Sequence, residues 1–117
     1  MHPDFYKYAM IDWSKETNCA VTVCNTDGTV IYANNKSKAT FAKYGELVGR
    51  NLKTCHSPAS WEKIQQLLQT GGSNAYTIHK NGIRKMIYQT AWFQEGVVAG
   101  LVEYSMEIPE DMPHYDR

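Results

Sequence analysis

The chain has 117 residues and a mass of 13.3 kDa, which is room for one domain because domains cluster near ~100–150 residues. Its 43% hydrophobic and 21% charged residues are typical of a folded globular domain and exclude a disordered chain. Twelve basic residues balance twelve acidic ones, so we expect neither a nucleic-acid nor a membrane partner. No window approaches the ~20 apolar residues of a membrane-spanning helix and no signal peptide opens the chain, which predicts a cytoplasmic protein.

The cysteines and histidines argue against a metal or disulfide framework. Cys19, Cys24 and Cys55 form an odd set without Cys-x-x-Cys spacing. The four histidines are dispersed and lack the i, i+4 spacing that places two ligands on one helix face. We therefore expect reduced thiols and no metal site.

The first residues of the chain show the spacing of an amphipathic helix over 4–14. Tyr6, Met10 and Trp13 recur at i, i+4 and i+7. Together with Phe5, these side chains give more apolar surface than one helix of a small monomer buries. We therefore predict that Phe5, Tyr6, Met10 and Trp13 form a homodimer interface.

Five segments have the composition of β-strands. Cys19–Cys24 and Thr29–Ala33 are β-branched runs joined through an Asp-Gly turn, which predicts a hairpin. Three longer runs follow later, joined by Asn-Gly and Glu-Gly turns: Ala75–Lys80, Ile83–Phe93 and Val97–Ile108. The short turns predict antiparallel pairing between neighbouring strands.

Two helices are predicted between the second and third strands. Asn34 or Asn35 caps a short helix that continues through Lys43. Ser57 begins a longer one, because serine caps a first turn and the proline after it is tolerated at the first helical position. A Gly-Gly pair ends this helix, and its apolar face consists of Trp61, Ile64, Leu67 and Leu68.

The alternation in the last strand predicts which of its faces is buried. One parity carries the larger apolar side chains, Val98, Val102, Tyr104, Met106 and Ile108. The other parity carries Leu101, Glu103, Ser105 and Glu107. A period of two therefore predicts that the first set points inward and that Glu103 is exposed.

The order of elements predicts the α+β class, with a five-stranded antiparallel sheet and helices packed on one face. We divide the chain into an N-terminal helix or cap at 1–16, the domain proper at 17–108 and a flexible tail at 109–117, where two prolines disfavour regular structure. No P-loop, Gly-x-Ser-x-Gly, His-Glu-x-x-His or kinase signature occurs. No catalytic residue is therefore assigned.

These elements and three local motifs together resemble a PAS domain, a small sensory module with a five-stranded antiparallel sheet. Residues 23–34, VCNTDGTVIYAN, resemble the opening hairpin of the family, and 47–50, LVGR, resemble its Gly-Arg step before the connecting helix. The strand GLVEYSMEI at 100–108 looks like a PAS final strand. The resemblance covers about 19–108 and implies a non-enzymatic sensory or interaction module for signal transduction.

A narrower resemblance is to a bacterial PAS subgroup with Cys-His-x-Pro before the long helix, which residues 55–58 match. The last strand of that subgroup reads Gly-x-Leu-Glu, from which residues 100–103 depart mildly. The reactive-cysteine motif of flavin-binding LOV domains is missing, since no cysteine follows Asn51. This argues against covalent flavin photochemistry.

Cys55 and His56 are the most suggestive pair for chemistry. An imidazole beside a thiol at a helix N-terminus can activate the thiol as a redox sensor or ligand. The structural alternative is a buried cysteine and a histidine bonded to the backbone. Haem is a further alternative, because some PAS domains hold it through an axial histidine. The long helix contains no histidine, which leaves only His56 or His79 for that role, so the cofactor stays unassigned.

Aromatic side chains are numerous enough to line a cavity for a small organic ligand, although core packing explains them equally well. The predicted ligand-binding residues are Cys55, His56, Trp61, Tyr32, Phe41, Tyr88, Trp92 and Tyr104. The identity of the ligand does not follow from these residue types.

The resemblance also implies signalling through association, because PAS relatives commonly dimerise through an N-terminal helix and the sheet. We expect the partner to be a second copy or another PAS-containing regulator. The sequence leaves open whether the chain is a fragment of a larger regulator or a free-standing partner protein.

One enzymatic alternative remains. A cup-shaped enzyme of the isomerase type would use a buried carboxylate such as Glu103 as base beside a tyrosine. The predicted exposure of Glu103 argues against it.

Overall fold

The computed structural model describes residues 12–117. Two 3-10 turns, Ala42–Tyr44 and Leu52–Thr54, lie between its two helices. The regular elements in chain order are β1 (Ala20–Asn25), β2 (Val30–Ala33), α1 (Asn35–Thr40), α2 (Pro58–Thr70), β3 (Ser73–Lys80), β4 (Ile83–Gln94) and β5 (Val97–Glu107).

The five strands form one sheet in the order β2-β1-β5-β4-β3, and every neighbouring pair is antiparallel. The predicted α+β class is therefore confirmed. β5 lies in the middle and pairs with β1, so that Thr22 stands opposite Glu103. The first and last strands within residues 12–117 are thus neighbours at the centre of the sheet.

Local turn chemistry sets the ends of the three long strands. Asn81 and Gly82 both have positive φ, 53° and 77°, as do Glu95 and Gly96, at 52° and 81°. Two consecutive positive φ values define the type I′ turn, whose twist matches that of a two-stranded ribbon. The predicted hairpins β3-β4 and β4-β5 form through these turns.

The helices begin at the predicted caps. The Asn34 side chain accepts a hydrogen bond from the Ser37 amide, and Ser57 accepts one from the Ser60 amide. The continuous helix predicted through Lys43 is wrong, because α1 ends at Thr40 and the next residue, Phe41, has a φ of −108° that lies outside the helical range. A tighter 3-10 turn follows it.

Two apolar clusters hold the helical segment against the sheet. Cys24 and Leu101 pack with Ile64 and Leu67 of α2, as the helix face predicts. The second cluster consists of Val30, Ala33 and Leu47, with Phe41 and Tyr44 packed beside them. Leu52 contacts both clusters, so the turn that contains it joins the two parts of the core.

The face of β5 that was predicted to point inward points away from the helices. Leu101 belongs to the core cluster with α2, and Glu103 and Ser105 line a cavity beneath the helical segment. Tyr104 lies on the opposite face, where its cross-strand partners are Val21 and Tyr88. That face is itself apolar and partly buried, so counting apolar side chains along one strand selected the wrong parity.

Candidate ligand-binding site

A cavity of about 420 Å³ lies between the inner face of the sheet and the segment that links β2 to α2. This volume falls within the ~300–1,000 Å³ typical of small-molecule sites. The inner faces of the strands form one side, and α1 with the two 3-10 turns forms the other. Its apolar walls consist of Val30, Phe41, Leu47, Leu52, Ile78, Ile83 and Ile87.

A polar row crosses the inner face of the sheet. Its members, Thr22, Glu103, Gln89 and Asn74, are successive cross-strand partners on four strands. Asn74 Nδ2 donates to Gln89 Oε1 over 3.2 Å, and Gln89 Nε2 donates to Glu103 Oε1 over 3.1 Å. The second carboxyl oxygen of Glu103 has no hydrogen-bond partner among residues 12–117. The row thus anchors Glu103 through one oxygen in the wall of the cavity.

The Glu103 side chain is largely removed from water, which raises the pKa of its carboxyl above the ordinary value of 4.5. The hydrogen bond from Gln89 opposes this shift, as does the charge of His56 whenever its ring is protonated, without cancelling it. The predicted exposure of Glu103 is therefore wrong. The carboxyl faces the cavity because its strand parity is the inner one.

We expect Glu103→Gln to change how stability depends on pH. The folded state binds the Glu103 proton more tightly than the unfolded state, so the stabilisation is complete below pH 4.5 and is lost as pH rises through the folded pKa. Glutamine does not ionise. The unfolding free energy of the variant relative to the native chain should therefore increase from pH 4.5 towards neutral, as measured by urea denaturation.

The matched control is Glu107→Gln, which removes an exposed carboxylate from the same strand. The prediction is contradicted if the difference in unfolding free energy between Glu103→Gln and the native chain stays constant across this pH range. The Glu103 carboxyl would then have the same pKa in the folded and unfolded states.

Cys55 and His56 follow the second 3-10 turn, and both line the cavity. His56 Nδ1 lies 2.8 Å from the carbonyl oxygen of Leu52, and Cys55 Sγ lies 3.7 Å from the same oxygen. A carbonyl only accepts, so Nδ1 carries a proton and Nε2 is the acceptor nitrogen of the neutral ring. The two side chains therefore share one carbonyl acceptor, and Cys55 is only partly buried.

Cationic side chains surround the other side of the cavity. Arg50 Nη1 donates to the Tyr44 carbonyl over 2.9 Å, and its guanidinium carbon lies 5.3 Å from the centre of the Tyr44 ring. Lys43 Nζ lies 5.0 Å from the same ring. These distances fit cation–π contacts, and Lys80 and Lys85 also line the cavity.

No protein-family model and no curated protein matches this sequence, but solved structures match its fold. The PAS domain of a protein from Colwellia psychrerythraea has a TM-score of 0.64 at 16% identity, over 90% of this chain and 97% of that one. A sensory box sensor histidine kinase from Vibrio cholerae has a TM-score of 0.62 at 10% identity, and the match covers 91% of this chain and 94% of that one. This chain has a PAS fold. The Aer2 receptor from Vibrio cholerae, described as a dual PAS-haem oxygen sensor, has a TM-score of 0.58 at 17% identity, over 78% and 95%.

The PAS cavity is lined by three of the eight residues predicted to bind a ligand, Cys55, His56 and Phe41. Tyr32 lies elsewhere, with its hydroxyl donating to Asp12 Oδ2 over 2.7 Å. Trp92 is also outside the cavity, because its indole Nε1 donates to the Cys24 carbonyl over 3.0 Å.

The other three predicted residues have packing roles in the PAS fold. Trp61 packs on the core cluster of α2 and lies against Gly28, where an added Cβ would come within 2.6 Å of the indole ring. Tyr88 and Tyr104 are a cross-strand pair on the outer face of the sheet. Aromatic content alone did not distinguish these roles from cavity lining.

Sequence reasoning missed several residues that line the PAS cavity. Arg50 belongs to the LVGR motif that carries part of the family resemblance, but it was not included among the predicted ligand-binding residues. Tyr44 was not considered, and Tyr76, one of the aromatic side chains counted as possible cavity lining, was not among the predicted ligand-binding residues. Burial raises the pKa of the Tyr76 hydroxyl, and the charge of Glu103 adds to that shift.

The predicted dimer interface is only partly within the described residues. Phe5, Tyr6 and Met10 lie outside them, and Trp13 is 69% exposed. The homodimer stays a prediction. In the described part of the chain, no helix is long and apolar enough to cross a membrane. Residues 12–117 also contain no cluster of three or more metal-ligating side chains.

Proposed function

We propose that this chain is a non-enzymatic sensory module of signal transduction that binds a small organic molecule in its PAS cavity. The supporting observation is that Glu103, His56 and Arg50 converge on a cavity with apolar walls. Cavities and buried polar groups both cost free energy, so a core built only for stability would fill this space. The sensory descriptions of two structural neighbours agree with the proposal.

Binding in this cavity would couple to the sheet through β5. A ligand there contacts both the segment between β2 and α2 and Glu103 on β5. The affinity for the ligand therefore differs between conformations in which this segment lies closer to β5 and those in which it lies farther away. β5 is hydrogen-bonded to β1 and β4, and a change at Glu103 therefore reaches both neighbours. The proposed recipient of this change is a second copy or another PAS-containing regulator.

Native mass spectrometry of the chain purified from its own host tests this function. We expect a bound small molecule that is lost in Ser105→Phe, because Ser105 is buried in the cavity wall and the phenyl ring would occupy the ligand space. Overpacking of this kind costs about 1–3 kcal/mol, so thermal unfolding must first establish that the variant is folded.

Thr77→Phe is the matched control, since Thr77 is exposed on β3 and its neighbours Tyr76 and Ile78 point to the cavity side. It should keep the bound molecule. An unoccupied native chain that also binds nothing from a metabolite extract would contradict the proposed function. An absorbance spectrum of the same sample tests haem, for which His56 is the one histidine among the cavity-lining residues.

We also propose membership of the bacterial PAS subgroup with Cys-His-x-Pro. The support is that each motif residue has a distinct local role. Cys55 and His56 bind the Leu52 carbonyl, Ser57 caps α2 and Pro58 begins it. These roles explain why the motif stands immediately before the long helix.

The burial of Glu103 favours one second candidate, an isomerase-type enzyme. A carboxylate with a raised pKa is a stronger base, and Tyr44 and Tyr76 line the same cavity. Turnover of a β,γ-unsaturated ketone that disappears in Glu103→Gln would select this function over the sensory one.

A further inference from the structure

The guanidinium of Arg50 has more donors than protein partners. Of its five N–H groups, one hydrogen bond is formed within residues 12–117, from Nη1 to the Tyr44 carbonyl. Nε is buried and has no partner among the same residues. The edge formed by Nε and Nη2 is the one that binds a carboxylate with two parallel hydrogen bonds. This edge of Arg50 is therefore incomplete without a further acceptor.

The charge balance of the cavity also favours an anion. Four lysine and arginine side chains line it, and Glu103 is the only acidic one among the lining residues. Within residues 12–117, no carboxylate lies within 4 Å of these cations, which are Lys43, Arg50, Lys80 and Lys85. Glu103 forms no ion pair with any of them, and burial raises the pKa of its carboxyl.

Glu103 and His56 together offer a donor and an acceptor. Gln89 already binds Oε1 of Glu103, so a protonated carboxyl presents Oε2–H as donor. The proton of His56 on Nδ1 is engaged by Leu52, so neutral imidazole presents Nε2 as acceptor. A hydroxyl group satisfies both, because it accepts one hydrogen bond and donates another.

We propose that the cavity binds a hydroxy acid with an apolar body, with its carboxylate on Arg50 and its hydroxyl group between Glu103 and His56. The apolar walls contact the body of the ligand. This inference rests on the proposed sensory function and narrows its ligand to one chemical class.

Isothermal titration calorimetry with matched probes tests the ligand class. The acids are para-hydroxyphenylacetate and its longer homologue para-hydroxyphenylpropionate, each compared with its uncharged amide and with the acid that lacks the hydroxyl group. Hydrogen bonds to charged groups contribute ~1.5–3 kcal/mol. We therefore expect the better acid to bind roughly tenfold or more tightly than its amide. Loss of the hydroxyl group should also weaken binding severalfold.

Arg50→Gln separates a charge effect from misfolding. It should reduce the affinity for the acid by a larger factor than the affinity for the amide, because the carboxylate loses a charged hydrogen bond and the amide loses only a bond to its neutral carbonyl oxygen. Lys53→Gln is the control, because Lys53 is an exposed cation in the adjacent 3-10 turn that does not line the cavity. It should change neither affinity.

The outcomes distinguish this inference from the function on which it rests. Equal binding of acids and amides, or an affinity for the acid that Arg50→Gln leaves intact, overturns the hydroxy acid while the cavity remains a ligand site. Absence of binding by all probes at millimolar concentration also overturns it. The proposed function then stands or falls with the molecule that co-purifies in native mass spectrometry.

Discussion

Asn34→Ala is expected to destabilise the domain by about 3 kcal/mol or more. The side chain is 1% exposed, and its Oδ1 accepts from the Val21 and Ser37 amides over 2.9 and 3.0 Å. Its Nδ2 donates to the carbonyls of Ser14 and Cys19 over 2.7 and 2.8 Å. Alanine leaves the Val21 and Ser37 amides without this acceptor, whereas Thr17 still donates to the Ser14 and Cys19 carbonyls. Each buried group left unsatisfied costs about 1–3 kcal/mol.

Asn34→Asp identifies which half of this network carries the effect. Aspartate keeps the acceptor for Val21 and the N-cap for Ser37, but it places a second acceptor against the Ser14 and Cys19 carbonyls. We expect the Asn34→Asp variant to be destabilised as well. Ser57 is an exposed N-cap of α2, and Ser57→Ala should cost only about 1 kcal/mol. Urea denaturation measures all three. An Asn34→Ala cost no larger than that of Ser57→Ala would show that Asn34 acts only as a helix cap.

Gly100→Ala is expected to cost about 3 kcal/mol or more, and an unfolded variant is within this expectation. A Cβ at Gly100 would overlap the carbonyl oxygen of Cys24 on the neighbouring strand and lie 2.6 Å from Trp92 Nε1. The indole already donates to that carbonyl over 3.0 Å. Neither a backbone oxygen inside a sheet nor a hydrogen-bonded ring can move away without breaking its own contacts.

Gly96→Ala is the matched control for this prediction. Gly96 has a positive φ of 81°, but nothing lies within 4 Å of an added Cβ, so only the conformational cost of about 1–2 kcal/mol applies. Thermal unfolding of both variants separates the two costs. Equal melting temperatures would mean that the strands near Gly100 relax enough to accept the methyl group.

Features that depend on neighbouring residues were predictable from the sequence. The Asn-Gly and Glu-Gly turns, the Ser57 cap and the glycine that ends α2 each follow from local backbone chemistry. They position the strand ends to within about two residues. The end of α1 was not predictable in this way. Phe41 packs against Val30 and Leu47 just after the helix stops, and helix propensity does not predict that stop.

The candidate site was less predictable because it depends on long-range pairing. Glu103 enters the cavity only because β5 turns its less apolar face to the helical segment, and both of its faces meet neighbours in the folded sheet. Arg50 and Tyr76 come from distant segments. Cys55 and His56 were singled out because they lie side by side in the sequence, before a helix whose start was already clear.

The central position of β5 has a consequence for biosynthesis. β1 leaves the ribosome before β5, and Thr22 pairs with Glu103 across about 80 residues of chain. Until β5 emerges, the edge of β1 that it will cover exposes unpaired backbone groups, which favours association between nascent chains. In the β3-β4-β5 meander, by contrast, paired residues lie at most 22 positions apart, as Lys85 and Glu107 do. The meander can therefore form as a unit, and docking of β1 onto β5 is expected to limit the folding rate.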